Sequence, residues 1–172
     1  MTTQRPDTAR RALIAGIGAS AASLALPAVP SLTRAQENGR LLRTVPSTGE
    51  KIPAIGMGSW ITFNVGPVKA LRDARVKVLQ TFFDHGGGMV DSSPMYGSSE
   101  EVIGYCLEKI KNDDTLFSAT KVWTLSQSRG IEQMQQSERL WGEKQFDLMQ
   151  IHNLLDWDAH LETLIEWKAQ GR

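Results

Sequence analysis

Four polar residues fall where short apolar runs of the chain come to an end. Asp91 closes Met89-Val90-Asp91, Lys121 lies at the end of LFSATKV, and His152 at the end of FDLMQIHN. Tyr96 follows Asp91 by five residues, in VDSSPMYG. A free phenol has a pKa of about 10, too high for ready proton exchange at neutral pH. An ammonium beside it favours the phenolate and is expected to lower that value. A buried lysine is costly alone, and Asp91 can pair with it. Asp91, Lys121 and Tyr96 together therefore read as a tuned proton donor, and His152 can hydrogen-bond a carbonyl oxygen at the same spot. The chemistry predicted is polarisation of a carbonyl and delivery of a proton to its oxygen. Taken singly, the aspartate would be a helix cap, the histidine a structural hydrogen-bonder and the lysine a solvated surface group. It is their joint placement that points to a site.

Such a site needs elements that bring the four to one level. In LLRTVPSTGEKIP the turn chemistry at Pro46-Ser47-Thr48-Gly49 predicts a hairpin. AIGMGSW reads as a short strand opening into a glycine turn. From Pro67 to His85 the residues Leu71, Val78, Leu79, Phe82 and Phe83 recur at helical spacing, and Gly86-Gly87-Gly88 ends that helix. Ser98 and Glu101 read as a capping box, opening a helix with Val102, Ile103, Cys106, Leu107 and Ile110 on one face. Asn112-Asp113-Asp114 breaks it. LFSATKV is the third strand, followed by a helix from about Ile131 to Gly142 with Met134 and Trp141 inside. FDLMQIHN is the fourth strand, and the last helix is expected to bury Leu161, Leu164 and Ile165 before Gly171. Strand and helix thus alternate four times, which implies a parallel sheet covered by helices. The carboxyl ends of adjacent strands in such a sheet share one rim, where sites are built. An open doubly wound sheet and a barrel both satisfy this pattern.

Composition narrows the classes. A length of 172 residues suits one domain, and 19 basic against 19 acidic residues give no reason to expect nucleic acid or an anionic membrane surface as partner. The single cysteine, Cys106, excludes an internal disulfide framework, and one good nitrogen ligand at the rim does not make a metal set. Before Glu37 stand four arginines and one aspartate, so the leader carries +3 and the remainder −3. Residues 1–35 have a basic start, an apolar stretch from Ala12 to Val29 and a small-residue pattern at Thr33-Arg34-Ala35, the layout of a secretory signal. Arg10-Arg11 before Ala12-Leu13-Ile14 resembles a twin-arginine export signal, although Ala9 replaces the usual Ser or Thr and the usual phenylalanine is missing. Gly16, Gly18, Ser20 and Pro27 make the stretch a poor spanning helix, so no stable membrane anchor is expected. The export machinery is the predicted partner of this leader, and the periplasm or the exterior the predicted destination. An uncleaved signal would leave the chain tethered to the membrane.

VDSSPMYG, ATKVW, DLMQIHN and GMGSW together resemble the aldo-keto reductases, over about Leu42 to Arg172. The resemblance implies an NAD(P)H-dependent (β/α)8 barrel of the TIM type that reduces an aldehyde or ketone, a small-molecule carbonyl substrate, to an alcohol. Carried over, Tyr96 is the general acid, Lys121 and Asp91 its tuning pair, and His152 the residue orienting the carbonyl. Trp123 and Trp60 match pocket-lining aromatics, and Asp91, Gly58 and Ser59 are the nicotinamide-proximal candidates for NADPH or NADH. The hairpin around Ser47 to Gly49 matches the segment that closes the bottom of the barrel. Residues 36–172 would then be the first four βα units of a truncated barrel, with the remaining cofactor contacts expected beyond Arg172. On that reading the 172-residue chain is inactive by itself. Two alternatives stand beside it: a lyase using Lys121 as a Schiff-base nucleophile, and a non-catalytic half-barrel that self-associates or binds a partner.

Overall fold

A computed structural model describes residues 36–37, 40–110 and 115–172. The predicted leader of residues 1–35 and the break at Asn112-Asp113-Asp114 lie outside the described residues. Strands β1 (Gln36–Glu37), β2 (Arg40–Thr44) and β3 (Lys51–Pro53) form an antiparallel sheet in that order. The expected hairpin is β2–β3. Its turn closes with Val45 N–H donating to Glu50 O at 2.8 Å and Gly49 at φ 75°, a left-handed angle that glycine adopts without strain.

Strands β4 (Gly56–Gly58), β5 (Met89–Asp91), β6 (Phe117–Val122) and β7 (Leu148–Ile151) form a parallel sheet in sequential order. The helices are α1 (Trp60–Phe63), α2 (Lys69–Asp84), α3 (Ser99–Leu107), α4 (Gln127–Trp141) and α5 (Trp157–Ala169). The register pairs Gly58 with Asp91, Asp91 with Ala119 and Lys121 with Gln150. Because side chains alternate along a strand, Ala119 and Lys121 share a face, and Lys121 stands one step nearer the rim than the partner of Asp91.

The core lies between sheet and helices. Phe63, Leu79, Val90, Val102, Ile103 and Cys106 are fully buried in it, and Trp141 meets Phe146 edge-on at 5.2 Å. Each such side chain contributes about 1.5–3 kcal/mol of burial. Helices α3 and α4 approach so closely at Gly104 that a Cβ there would stand 1.8 Å from the main-chain oxygen of Leu140. Glycine is required by contact rather than by backbone angle.

Three local expectations need correction. The capping box does not form. Ser98 Oγ instead donates to Asn64 Oδ1 and accepts from Gly66 N–H, while Glu101 pairs with Arg72 at 2.7 Å. The serine is committed to the loop before α2 and has nothing left for its own helix. In α2, Leu79 and Phe83 are buried one turn apart, and Leu71 and Val78 are exposed. In α5 the buried residues are His160 and Thr163, whereas Leu161 and Ile165 are exposed. The inward face of α5 is set by hydrogen bonds to α4 and the loop before it: His160 Nε2 lies 2.8 Å from Thr124 O, and Gln127 Nε2 donates to Thr163. The apolar residues are left beside β7, the edge strand of the parallel sheet among the described residues.

Candidate active site

Lys121 is the centre of the rim. Its ammonium donates to Asp91 Oδ1 at 2.6 Å, to Asp91 Oδ2 at 2.7 Å and to the main-chain oxygen of Ser92 at 2.8 Å. A lysine has three protons to donate, and all three are used. Gln150 Nε2 adds a hydrogen bond to Asp91 Oδ1 at 3.2 Å. The neighbouring strands β5, β6 and β7 thus each place one side chain in a single polar cluster.

Aromatic rings stand beside it. The Tyr96 ring centre is 5.8 Å from Lys121 Nζ and 5.8 Å from the His152 ring, which it meets at 83°. Trp60 approaches Tyr96 at 6.3 Å, and Trp123 approaches His152 at 6.4 Å. The order Trp60, Tyr96, His152, Trp123 is an arc at the strand ends. His152 itself lies one residue past β7, in a 3-10 turn from His152 to Leu154. The structure therefore brings Asp91, Tyr96, Lys121 and His152 together and sets Trp60 and Trp123 next to them. Gly58 is exposed at the end of β4, with open space where a side chain would stand. Ser59 is fully buried beneath the turn, so of these two candidates only Gly58 presents surface.

The electrostatics depart from expectation at Tyr96. Burial, and then the charge of Asp91, push its phenol above the ordinary value, where a lowering by Lys121 was predicted. Burial comes first, and the Lys121 ammonium is held by the very carboxylate whose charge acts on the phenol in the raising direction. His152 is held below its ordinary value, by burial first and by Lys121 second, with Asp91 opposing. At neutral pH the rim presents a protonated phenol and a neutral imidazole above an ion pair.

Sequence reasoning missed several supports. Ser93 Oγ lies 2.8 Å from His152 Nδ1, across 59 residues of chain. Gln150 carried a readable signal only through FDLMQIHN read as a strand, where it precedes His152 by two; in the fold it is the register partner of Lys121, and His152 lies past the strand end. Gln133 brackets the main chain of Trp123, accepting from its N–H at 2.6 Å and donating to its oxygen at 3.1 Å. The loops after β6 and β7 are joined by Ser126 N–H donating to Asp156 Oδ2 at 2.6 Å. Behind the rim, Glu100 is buried and accepts from Thr120 Oγ1 and Ser137 Oγ at 2.6 and 2.9 Å. Among the described residues no group of three His, Cys, Asp or Glu side chains could hold a metal ion.

Known proteins resemble this chain in sequence and fold. The model of the Aldo/keto reductase family matches residues 54–169. D-galacturonate reductase of Hypocrea jecorina is 29% identical over 111 residues, 62% of this chain and 33% of that protein. A thermostable aldo-keto reductase solved with the inhibitor epalrestat superposes with a TM-score of 0.65 at 26% identity, over 76% of this chain and 50% of its own. An aldo-keto reductase of Klebsiella pneumoniae solved with NADPH shares the fold, with a TM-score of 0.57 at 23% identity, over 73% of this chain and 46% of its own. The chain spans a third to a half of the length of these relatives. Its four parallel βα units correspond to part of their barrel.

Proposed function

Since the chain belongs to the aldo/keto reductase family, we propose that it carries the proton-donating part of a site that reduces an aldehyde or ketone to an alcohol with NADPH or NADH. The observation behind this reading is the position of Tyr96, between the Lys121–Asp91 pair and the edge of the His152 ring. A carbonyl oxygen at that point receives hydrogen bonds from the Tyr96 hydroxyl and a ring N–H of His152. As negative charge builds on the oxygen it becomes far more basic than a phenolate, and Tyr96 passes its proton across. The raised phenol value suits this role, because the group is fully protonated at neutral pH. Lys121 is the cation beside the phenolate left behind. Trp60 and Trp123 flank the carbonyl's substituents.

A nicotinamide ring fits beside Asp91 to the extent that Gly58, its partner in register, leaves open space at the end of β4. When bound, the cofactor supplies a hydride to the carbonyl carbon. The described residues offer Gly58 and Asp91 to that ring, and the chain spans a third to a half of its relatives' length, so the 172-residue chain alone is proposed not to turn over. The lyase alternative has less behind it. A Schiff-base amine must reach a carbonyl carbon, and the Lys121 nitrogen is engaged with both oxygens of Asp91 and the main-chain oxygen of Ser92. Self-association has one observation in its favour, an open groove of about 370 Å³ beside β7, lined by Leu148, Leu161, Leu164 and Ile165. A monodisperse dimer in sedimentation would support it, and a monomer would remove it.

The test of the reductase reading joins residues 36–172 to the last four βα units of a solved family barrel. That fusion should oxidise NADPH with an aromatic aldehyde, and Tyr96→Phe should cut the rate by about 10²–10⁴-fold. A fusion that reduces the aldehyde equally well without the hydroxyl would take Tyr96 out of the role.

A further inference from the structure

Ser93 lies midway between Asp91 and Tyr96 on the loop from β5 to α3, and only 1% of its surface is exposed. Its main-chain oxygen accepts from Tyr96 N–H at 3.0 Å, and its Oγ is 2.8 Å from His152 Nδ1. One buried residue therefore holds the backbone of the proton donor and the ring of the orienting histidine. The second contact joins β5's loop to the end of β7, so neither element's local geometry produces it.

A neutral imidazole carries one N–H and one lone pair, and the partner of one nitrogen decides which form exists. A serine hydroxyl can act in either direction. If Nδ1–H donated to Oγ, the hydroxyl proton would need another acceptor, and Oγ has no second partner among the described residues. A buried donor without an acceptor is unfavourable. If the hydroxyl donates to the Nδ1 lone pair, both groups are satisfied by the one contact. Nε2, which has no protein partner among the described residues, then bears the hydrogen.

We propose that Ser93 is a positioning residue, donating its hydroxyl proton to His152 Nδ1 and so fixing the imidazole as the Nε2–H form, with that N–H directed to a substrate oxygen. The inference rests on the carbonyl-reduction reading for its purpose, but its direction is a property of the chain without substrate. Were Nδ1 the protonated nitrogen, Nε2 would meet a carbonyl oxygen lone pair to lone pair, and orientation would be lost. Ser93 thus does for His152 what Asp91 does for Lys121: it leaves the group one available orientation.

The experiment is a long-range proton–nitrogen correlation spectrum of the ¹⁵N-labelled 172-residue chain, at a pH where imidazoles are neutral. The His152 signals are identified by their loss in His152→Gln, which separates them from His85 and His160. The expected spectrum shows the Nε2–H pattern for His152 in the wild type. Ser93→Ala should move its two nitrogens toward a common intermediate shift, and Ser93→Thr should restore the split, with the His85 and His160 signals unmoved. A wild-type Nδ1–H pattern overturns the proposal whatever Ser93→Ala does to folding. So does a His152 pattern that stays unchanged in a folded Ser93→Ala chain. Because neither substrate nor cofactor is present, an inactive reductase fusion and a wrong tautomer are separate failures.

Discussion

Lys121 donates to both carboxylate oxygens of Asp91 and gives its third proton to the oxygen of Ser92, so the ammonium has no hydrogen left for Tyr96. The pair is asymmetric in exposure: the lysine side chain is 13% exposed and the aspartate 36%. Removing one partner should therefore not cost the same as removing the other.

Asp91→Ala leaves a mostly buried ammonium with one acceptor, whereas Lys121→Met leaves a carboxylate that can turn toward water and keep Gln150. Breaking a buried pair costs about 3–5 kcal/mol, and the partial exposure here reduces that to about 2 kcal/mol for Asp91→Ala. Lys121→Met should cost less than about 1 kcal/mol, since the methionine also fills the stem's volume. Urea unfolding of the two variants measures the difference. Equal midpoints, or a larger loss in Lys121→Met, would show that the lysine is not the dependent partner.

Glu100 makes a prediction about pH. Burial pushes its carboxyl above the ordinary range, with the hydrogen bonds from Thr120 and Ser137 opposing. A raised acid binds its proton more tightly in the folded than in the unfolded chain. Its favourable contribution is thus present below the unfolded value and is lost as pH rises through the folded one. Glu100→Gln keeps an acceptor and a donor for the two hydroxyls and removes the charge. Its stability relative to wild type should rise between pH 5 and pH 7, while Glu100→Ala, which strands both hydroxyls, should lose about 3 kcal/mol at either pH. Denaturant midpoints at the two pH values decide it, and a Glu100→Gln difference that is flat with pH would mean that the native carboxyl is not raised.

The ends of β5, β6 and β7 could be read from the chain because apolar runs stop there, and parallel strands put such ends on one rim. That is why Asp91, Lys121 and His152 could be grouped although sixty residues separate the first from the last. What lay in tertiary contact was not legible. Ser93 and His152 share no local pattern, and nothing near Gln133 in sequence marks it as the bracket of Trp123. Tyr96 was misjudged because residue types reveal that a cation is near and not that another group has already taken up its charge. Leu161 and Ile165 were misjudged for a related reason. Helical spacing identifies an apolar face, but which neighbour covers it depends on the hydrogen bonds that dock α5 through His160 and Thr163.

The leader supplies a prediction independent of the barrel. Arg10 and Arg11 are proposed to address the chain to twin-arginine export, a signal read by a receptor and not by hydrophobicity alone. Arg10→Lys with Arg11→Lys keeps the charge and the apolar stretch intact. A reporter carrying residues 1–40 should reach the periplasm with the natural pair and stay in the cytoplasm with two lysines. Export that continues unchanged would assign the leader to the general secretory route instead.

Ser126 holds φ 70° and ψ 145°, a backbone region adopted almost only by glycine. It stays there because its N–H donates to Asp156 Oδ2 at 2.6 Å, and Asp156 is itself left-handed at φ 51°. This one hydrogen bond ties the loop after Trp123 to the loop after His152, and the strained angle of Ser126 persists through it. Ser126→Gly relieves the strain and keeps the N–H, so it should raise stability by about 1 kcal/mol. Asp156→Ala removes the acceptor, lets Ser126 relax and frees the loop that carries Trp123. Hydrogen exchange at the Ser126 amide reads both effects: protection should be retained in Ser126→Gly and lost in Asp156→Ala. Loss of stability in Ser126→Gly would mean that the serine's angle is not strained, and unchanged protection in Asp156→Ala would mean that the tie between the loops does not hold them.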